Sequence, residues 1–296
     1  MRNIRFVRKL NILAGFCLAV TIVSAQPGSK PEDKSPHESK FVTVGSVKLH
    51  YLDWGGSGEA LIFLPGAGDK AHVYDQIAPK FTDKFRVLGL TRRGFGESDK
   101  PEKGYDVDTL TNDVLGLVDH LNLKKVSLIG HSAGGNEMFR FADKHPKRLL
   151  KLVFLDAGYG RRELFLASEP RPPAPERKPT EITLEDLIDE QYNKSGDAYD
   201  PDFRRVKAPS LSFYVMVEKH WAARPGMDAA LRKKVEDWIE AEVRPYQLRN
   251  IERFRKEVKK GEVIVLPNTT HYFFRDPKQF DNVVSTLHRF LMQTKQ

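Results

Sequence analysis

The chain of 296 residues is long enough for one large domain with a substantial core, or for two smaller ones. Its formal charge is +8, but Arg2, Arg5, Arg8 and Lys9 cluster at the amino terminus and removing them halves the excess, which leaves an ordinary surface rather than a nucleic-acid footprint. The single cysteine, Cys17, lies in the same segment, so the remainder excludes disulfides, thiolate chemistry and a zinc ribbon.

The four basic residues precede an apolar stretch over residues 12–23, and Val23-Ser24-Ala25 offers small residues for cleavage. Residues 1–25 therefore read as a secretory signal peptide, too short for a stable membrane span. Phe16 stands where a lipoprotein signal needs a small residue, so lipidation is not expected. The chain is expected to be exported, periplasmic or secreted, with no membrane span after cleavage. Residues 26–40 are rich in Pro, Ser, Lys and Glu without periodicity, and read as a disordered linker. The folded domain is expected over residues 41–296.

Phe41-Val42-Thr43-Val44 and Val47-Lys48-Leu49-His50-Tyr51 alternate like two short strands about the turn Gly45-Ser46. Continuous apolar runs follow at residues 61–64, 85–90, 126–129, 152–155, 211–217 and 263–266. Runs of that length, bounded by Gly and Pro, suit strands buried on both faces. Between them, Leu110, Val114, Leu117, Val118 and Leu121 fall on one helical face, as do Phe280, Val283, Val284, Leu287, Phe290 and Leu291. Asp276 with Pro277 is placed to open the last helix. A further helix runs from Asn136 to Lys144. Strands alternating with helices predict a mostly parallel sheet flanked by helices, an α/β fold.

Two stretches break the alternation. Residues 158–207 hold a proline run and one helix, residues 184–192, with Thr183 and Asp186 spaced as a capping box. Residues 219–260 are helical and charged, interrupted at Pro245. Their apolar stripes (Met227, Leu231, Val235, Trp238, Ile239 and Leu248, Ile251, Phe254, Val258) suit either packing on the sheet or a helical lid over a site. Both stretches are taken as lid elements.

Gly130-His131-Ser132-Ala133-Gly134 connects the run at 126–129 to the helix after it. A serine with glycines at minus two and plus two, between strand and helix, has the nucleophile-elbow pattern. A serine hydroxyl needs a base within reach. Of nine histidines, His271 follows the last buried run, so in a parallel sheet it shares an edge with Ser132. His131 is the variable residue of the elbow and is expected to point away from the reaction. The acid that orients the base is Asp156, after the run at 152–155, or alternatively Glu218, after the run at 211–217. Ala133 supplies one amide for an oxyanion. Pro65-Gly66-Ala67-Gly68 supplies the other, with Ala67 the expected donor. That glycine loop lacks the endings of a phosphate-binding loop, and no motif points to a metal, so no cofactor or metal is expected.

Three motifs, Val47-Lys48-Leu49-His50-Tyr51-Leu52-Asp53-Trp54-Gly55, Arg93-Gly94-Phe95-Gly96-Glu97-Ser98-Asp99-Lys100-Pro101 and Gly130-His131-Ser132-Ala133-Gly134-Gly135, resemble the α/β-hydrolase family, in its esterase, lipase and epoxide-hydrolase-like branch. The resemblance implies an eight-stranded sheet, a triad of nucleophile, acid and histidine, and a cap after the sixth strand. Three departures stand out. Pro65 replaces the usual histidine of the oxyanion loop, Thr91 replaces an aspartate, and the acid after the seventh strand is not evident, which favours Asp156 after the sixth. Ser132 in place of aspartate argues against epoxide-hydrolase and haloalkane-dehalogenase chemistry. The expected function is an exported carboxylesterase with a Ser132-His271-Asp156 triad and an acyl-enzyme intermediate, acting on a small-molecule ester. The alternatives are an aminopeptidase-like amide hydrolase and a catalytically silent binding protein on the same fold.

Overall fold

The computed structural model of the chain describes residues 36–160, 183–217 and 227–293. The strands are β1 (Glu38–Val44), β2 (Val47–Gly55), β3 (Glu59–Leu64), β4 (Phe85–Leu90), β5 (Val126–His131), β6 (Leu149–Leu155), β7 (Ser210–Val215) and β8 (Gly261–Leu266). They form one 8-stranded sheet in the order β1-β2-β4-β3-β5-β6-β7-β8. The pairs β1/β2 and β2/β4 are antiparallel. Every pair from β4 to β8 is parallel.

The continuous apolar runs are explained by how their side chains divide. In β3, Ala60, Ile62 and Leu64 enter one core while Leu61 and Phe63 enter the other. Because side chains alternate across a strand, only a sheet covered on both sides needs apolar residues at every position. One side is covered by α1 (Val107–His120) and α2 (Gly134–Lys144), through Val114, Leu117, Met138 and Phe139. Beyond them in the chain come α3 (Leu184–Ala198), α4 (Ala229–Trp238), α5 (Arg244–Glu257) and α6 (Phe280–Met292). Of these, α5 joins the first core through Ile251 and Phe254. The opposite side is covered by α6, through Val283, Leu287 and Phe290, and by short 3₁₀ turns carrying Ala71, Tyr74 and Phe81.

Local signals explain the boundaries. The side chain of Asp106 accepts from the Thr109 amide and caps α1. Thr183 and Asp186 form a complete capping box on α3. Arg93 makes a bidentate pair with Asp113, both bonds 2.6 Å, which fastens the loop after β4 to α1. In the same loop, Ser98 donates to the Thr91 carbonyl at 2.8 Å and accepts from the His50 amide at 2.9 Å.

The chain departs from the sequence reading in four places. Part of the expected linker is strand: β1 starts at Glu38, paired with Asp53 across the hairpin, and Lys40 lies 3.2 Å from the Asp53 carboxylate. Helix α6 begins at Phe280 rather than Pro277, because the Lys278 amide bonds to the Asp276 side chain at 3.0 Å and closes a separate turn. Within residues 158–207, Phe203 and Val206 are buried in the sheet core and belong to the body. Within residues 219–260, α5 likewise packs on the sheet and is not a cover. Pro245 lies in the first turn of α5, joined to α4 by a π-helical turn, so the two helices run on with little break. Helix α4 has its own small cluster with Val217, Val243 and Tyr246. The signal segment and Glu218 lie outside the described residues. Among those residues, no helix is long and apolar enough to cross a membrane.

Candidate active site

The parallel strands bring several chain segments to one rim. In the register of β5 and β6, His131 pairs with Leu155, so Ser132 and Asp156 are the next residues on neighbouring strands. The Ser132 amide bonds to the Leu155 carbonyl at 3.2 Å, and the Asp156 amide to the Phe213 carbonyl at 3.0 Å. Both residues leave the sheet with positive φ, 51° at Ser132 and 49° at Asp156. Left-handed backbone at a residue with a Cβ stores strain of about 1–3 kcal/mol and persists only where the surroundings impose it. The imposition is visible at Gly134, where a Cβ would lie 2.7 Å from the Leu64 carbonyl oxygen. Helix α2 thus starts hard against the sheet, with Ala133 at its N-cap and the Gly135 amide donating to the Ser132 carbonyl at 3.0 Å.

His271 comes to the same rim from the loop after β8. Its Nδ1 lies 2.6 Å from Asp156 Oδ2. The other carboxylate oxygen, Oδ1, accepts from the Tyr159 hydroxyl at 2.6 Å and from the Val215 amide at 3.0 Å. Burial opposes ionisation of Asp156. The bonds and charge from His271, Tyr159 and Val215 outweigh it and hold the carboxyl below its usual range. A carboxylate so held keeps a proton on Nδ1 of the ring, and Nε2 is the nitrogen left to act as a base.

His131 is not turned away from this site. It is fully buried, and its Nε2 donates to the His271 carbonyl at 3.0 Å. Its ring lies 4.3 Å from that of His271 and 5.0 Å from that of Phe274. Burial, and then the neighbouring His271, push its pKa down to about 4, so it stays neutral beneath the loop. The signal for this was strand alternation: His131 shares a face with the buried Ile129.

Ala67 and Ala133 both pack against a cluster of Tyr105, Leu110, Ile188 and Tyr192. Ile188 and Tyr192 belong to α3, so this helix contributes to the cluster that both candidate oxyanion donors meet. A narrow cleft beside it is lined by Leu110, Ala133, Asn136, Glu137 and Tyr192. Arg92 and Glu137, which the sequence reading did not single out, form a buried ion pair here with Nε 2.5 Å from Oε1. The guanidinium also donates to the Pro65 carbonyl at 2.9 Å and to the Gly66 carbonyl at 3.1 Å. Burial works against the charge of Arg92, and Glu137 more than restores it.

The tertiary structure also gathers histidines that no local motif announces. One ligand atom each of His37, His72 and Asp75, and likewise of His50, His72 and Glu97, lie within 4.8 Å of one another. These groups already bond to protein: His72 Nδ1 to Asp75 at 2.9 Å, and the two ring nitrogens of His50 to Thr91 and Ser39 at 2.9 Å each. Thr91, at the aspartate position, thereby serves His50 and also accepts from the Ala71 amide at 3.1 Å.

Comparison with known proteins agrees with this geometry at the level of fold. A protein-family model described as the alpha/beta hydrolase fold matches residues 59–241. Soluble epoxide hydrolase from Corynebacterium sp. (strain C12) is 34% identical over 113 residues, 38% of this chain and 39% of that protein. 2-(Acetamidomethylene)succinate hydrolase from Mesorhizobium japonicum is 30% identical over 118 residues, 40% of this chain and 42% of that protein. The chain thus spans about two fifths of the length of these relatives. The crystal structure of E-2-(acetamidomethylene)succinate hydrolase superposes with a TM-score of 0.60 at 20% identity, covering 87% of this chain and 100% of that one.

Proposed function

Because the chain belongs to the α/β-hydrolase fold family, we propose that it is a serine hydrolase cleaving carboxylic esters through an acyl-enzyme. The observation that carries this reading is the 2.6 Å contact between His271 Nδ1 and Asp156, at the rim where Ser132 leaves β5 in left-handed geometry. In this mechanism His271 Nε2 takes the Ser132 proton as Oγ attacks the ester carbonyl, then delivers it to the departing alcohol. Asp156 fixes the ring and stabilises its cation. The amides of Ala67 and Ala133 receive the negative charge that develops on the carbonyl oxygen. Water then takes the place of the alcohol and, through the same base, releases the acid. Ser132 cannot form the carboxylate ester that an aspartate nucleophile forms, so the reading parts from the chemistry in the name of the epoxide-hydrolase relative.

Helix α3 acts as the lid in this reading, since it supplies Ile188 and Tyr192 to the apolar cluster against which Ala67 and Ala133 pack. Residues 1–25 act as an export signal, which amino-terminal sequencing of the secreted protein tests. Amide hydrolysis is the second reading, favoured by the acetamido group in the name of one relative's substrate. The deciding experiment is Ser132→Ala, assayed on an aryl acetate and labelled with a fluorophosphonate. Loss of both turnover, by several orders of magnitude, and the covalent adduct is expected. Retained turnover would reject the proposal. Matched esters and amides of one acid separate the two readings.

A further inference from the structure

The loop that carries Ala67 is braced by a buried cation. Arg92 Nη1 donates to the Gly66 carbonyl at 3.1 Å and Nη2 to the Pro65 carbonyl at 2.9 Å. Its Nε is fixed by Glu137, on the same helix whose amino terminus presents Ala133. Both side chains are almost wholly buried, at 5% and 4% exposure, so the cation is neither screened by solvent nor free to swing.

The direction of those bonds matters. The chain has no cis peptide among the described residues, and in a trans peptide the carbonyl and the following amide point opposite ways. Pulling the Gly66 oxygen toward Arg92 therefore turns the Ala67 N–H away from it. The Ser132 side lies within reach, since a Cβ on Gly66 would sit 3.2 Å from Ser132 Cβ. A charge-assisted bond at the carbonyl also draws electron density through the amide, which makes the N–H a stronger donor. A neutral brace would orient the peptide with less polarisation. Arginine stays charged at any working pH and holds two carbonyls in one rigid fork.

We propose that Arg92 is a positioning residue that orients and polarises the Gly66–Ala67 peptide as an oxyanion donor, with Glu137 locking the guanidinium between that loop and α2. The inference rests on the serine-hydrolase reading, in which Ala67 is a donor. It fills the place left by Pro65: the loop's brace comes from β4's end instead of from the loop itself.

The test uses the full chain with Arg92→Met, Arg92→Lys and Glu137→Gln, assayed on an aryl acetate with active sites counted by fluorophosphonate titration. Per titrated site, Arg92→Met is expected to lower kcat roughly 10- to 100-fold with KM changed less than about twofold. Arg92→Lys should recover part of that loss, and Glu137→Gln should cause a smaller one. Affinity for a trifluoromethyl ketone, whose serine adduct carries an oxyanion, should fall in parallel with kcat/KM across the series. A purely structural lesion would instead lower the site count and leave kcat per site unchanged. Should Arg92→Met fail to fold, the lysine and glutamine variants decide. Active wild type with unchanged kcat per site in the folded variants overturns this inference alone. A wild type that neither turns over nor labels overturns the serine-hydrolase reading and this inference with it.

Discussion

Ser132 and Asp156 end adjacent parallel strands with nearly equal positive φ, 51° and 49°, each donating a backbone hydrogen bond to a carbonyl of the next strand. The shared geometry turns both residues off the sheet at one rim, in line with the loop that delivers His271. A position after the sixth strand can therefore bring a carboxylate to the histidine as directly as one after the seventh.

Asp156→Asn keeps the shape of the side chain and a residue type that tolerates left-handed backbone. It removes the charge that stabilises the His271 cation and favours the wrong tautomer. The expected result is a fall in kcat of about 10³- to 10⁴-fold, with a much smaller change in KM. Steady-state kinetics on an aryl ester provides the check, and a loss below tenfold would remove Asp156 from the proposed triad.

Stability should depend on pH through His131. The folded chain keeps this ring neutral down to about 4, against 6.5 for an ordinary histidine. Between those values the unfolded chain binds a proton that the folded chain does not, so stability falls as pH drops from 6.5 and levels off near 4. Asp156 acts lower: its folded carboxyl titrates below the ordinary 3.8, so its contribution is full above 3.8 and lost as pH falls through the folded value. Urea unfolding of wild type and His131→Gln from pH 7 to pH 4 should show a shallower slope in the variant. Parallel curves would show that another group sets the dependence.

The Arg93–Asp113 pair should behave as a buried ion pair does. Removing only Asp113 strands the guanidinium in the core, where Asp113 now holds its pKa above the usual value against the opposing effect of burial. Asp113→Ala is expected to cost about 3–5 kcal/mol, and a double replacement by apolar residues, Arg93→Met with Asp113→Leu, should cost less. Equilibrium denaturation of the three proteins measures the order. A double variant weaker than the single would contradict it.

Much of the site was legible locally. The elbow around Ser132 is contiguous, and its glycines mark where α2 meets the sheet. His271 could be selected because it follows the last apolar run, and parallel strands send such loops to a common edge. Both Asp156 and Glu218 follow apolar runs, and the sequence favours Asp156 only because no acid is evident after the seventh strand. The tertiary structure adds the 2.6 Å contact from Asp156 to His271, while Glu218 lies outside the described residues. The elbow pattern alone implies that His131 turns away, whereas the alternation of β5 buries it against the loop of His271.

Period and turn chemistry belong to neighbouring residues, so the sequence by itself determined the strands, most helices, the two-sided sheet and the elbow. It did not reveal that Arg92 would grip Pro65 and Gly66, that Glu137 would hold Arg92, or that three histidines would meet near β2. Those contacts join residues from separate segments, and they depend on strand register and loop path. Only the packed sheet, with its neighbours settled, decided them.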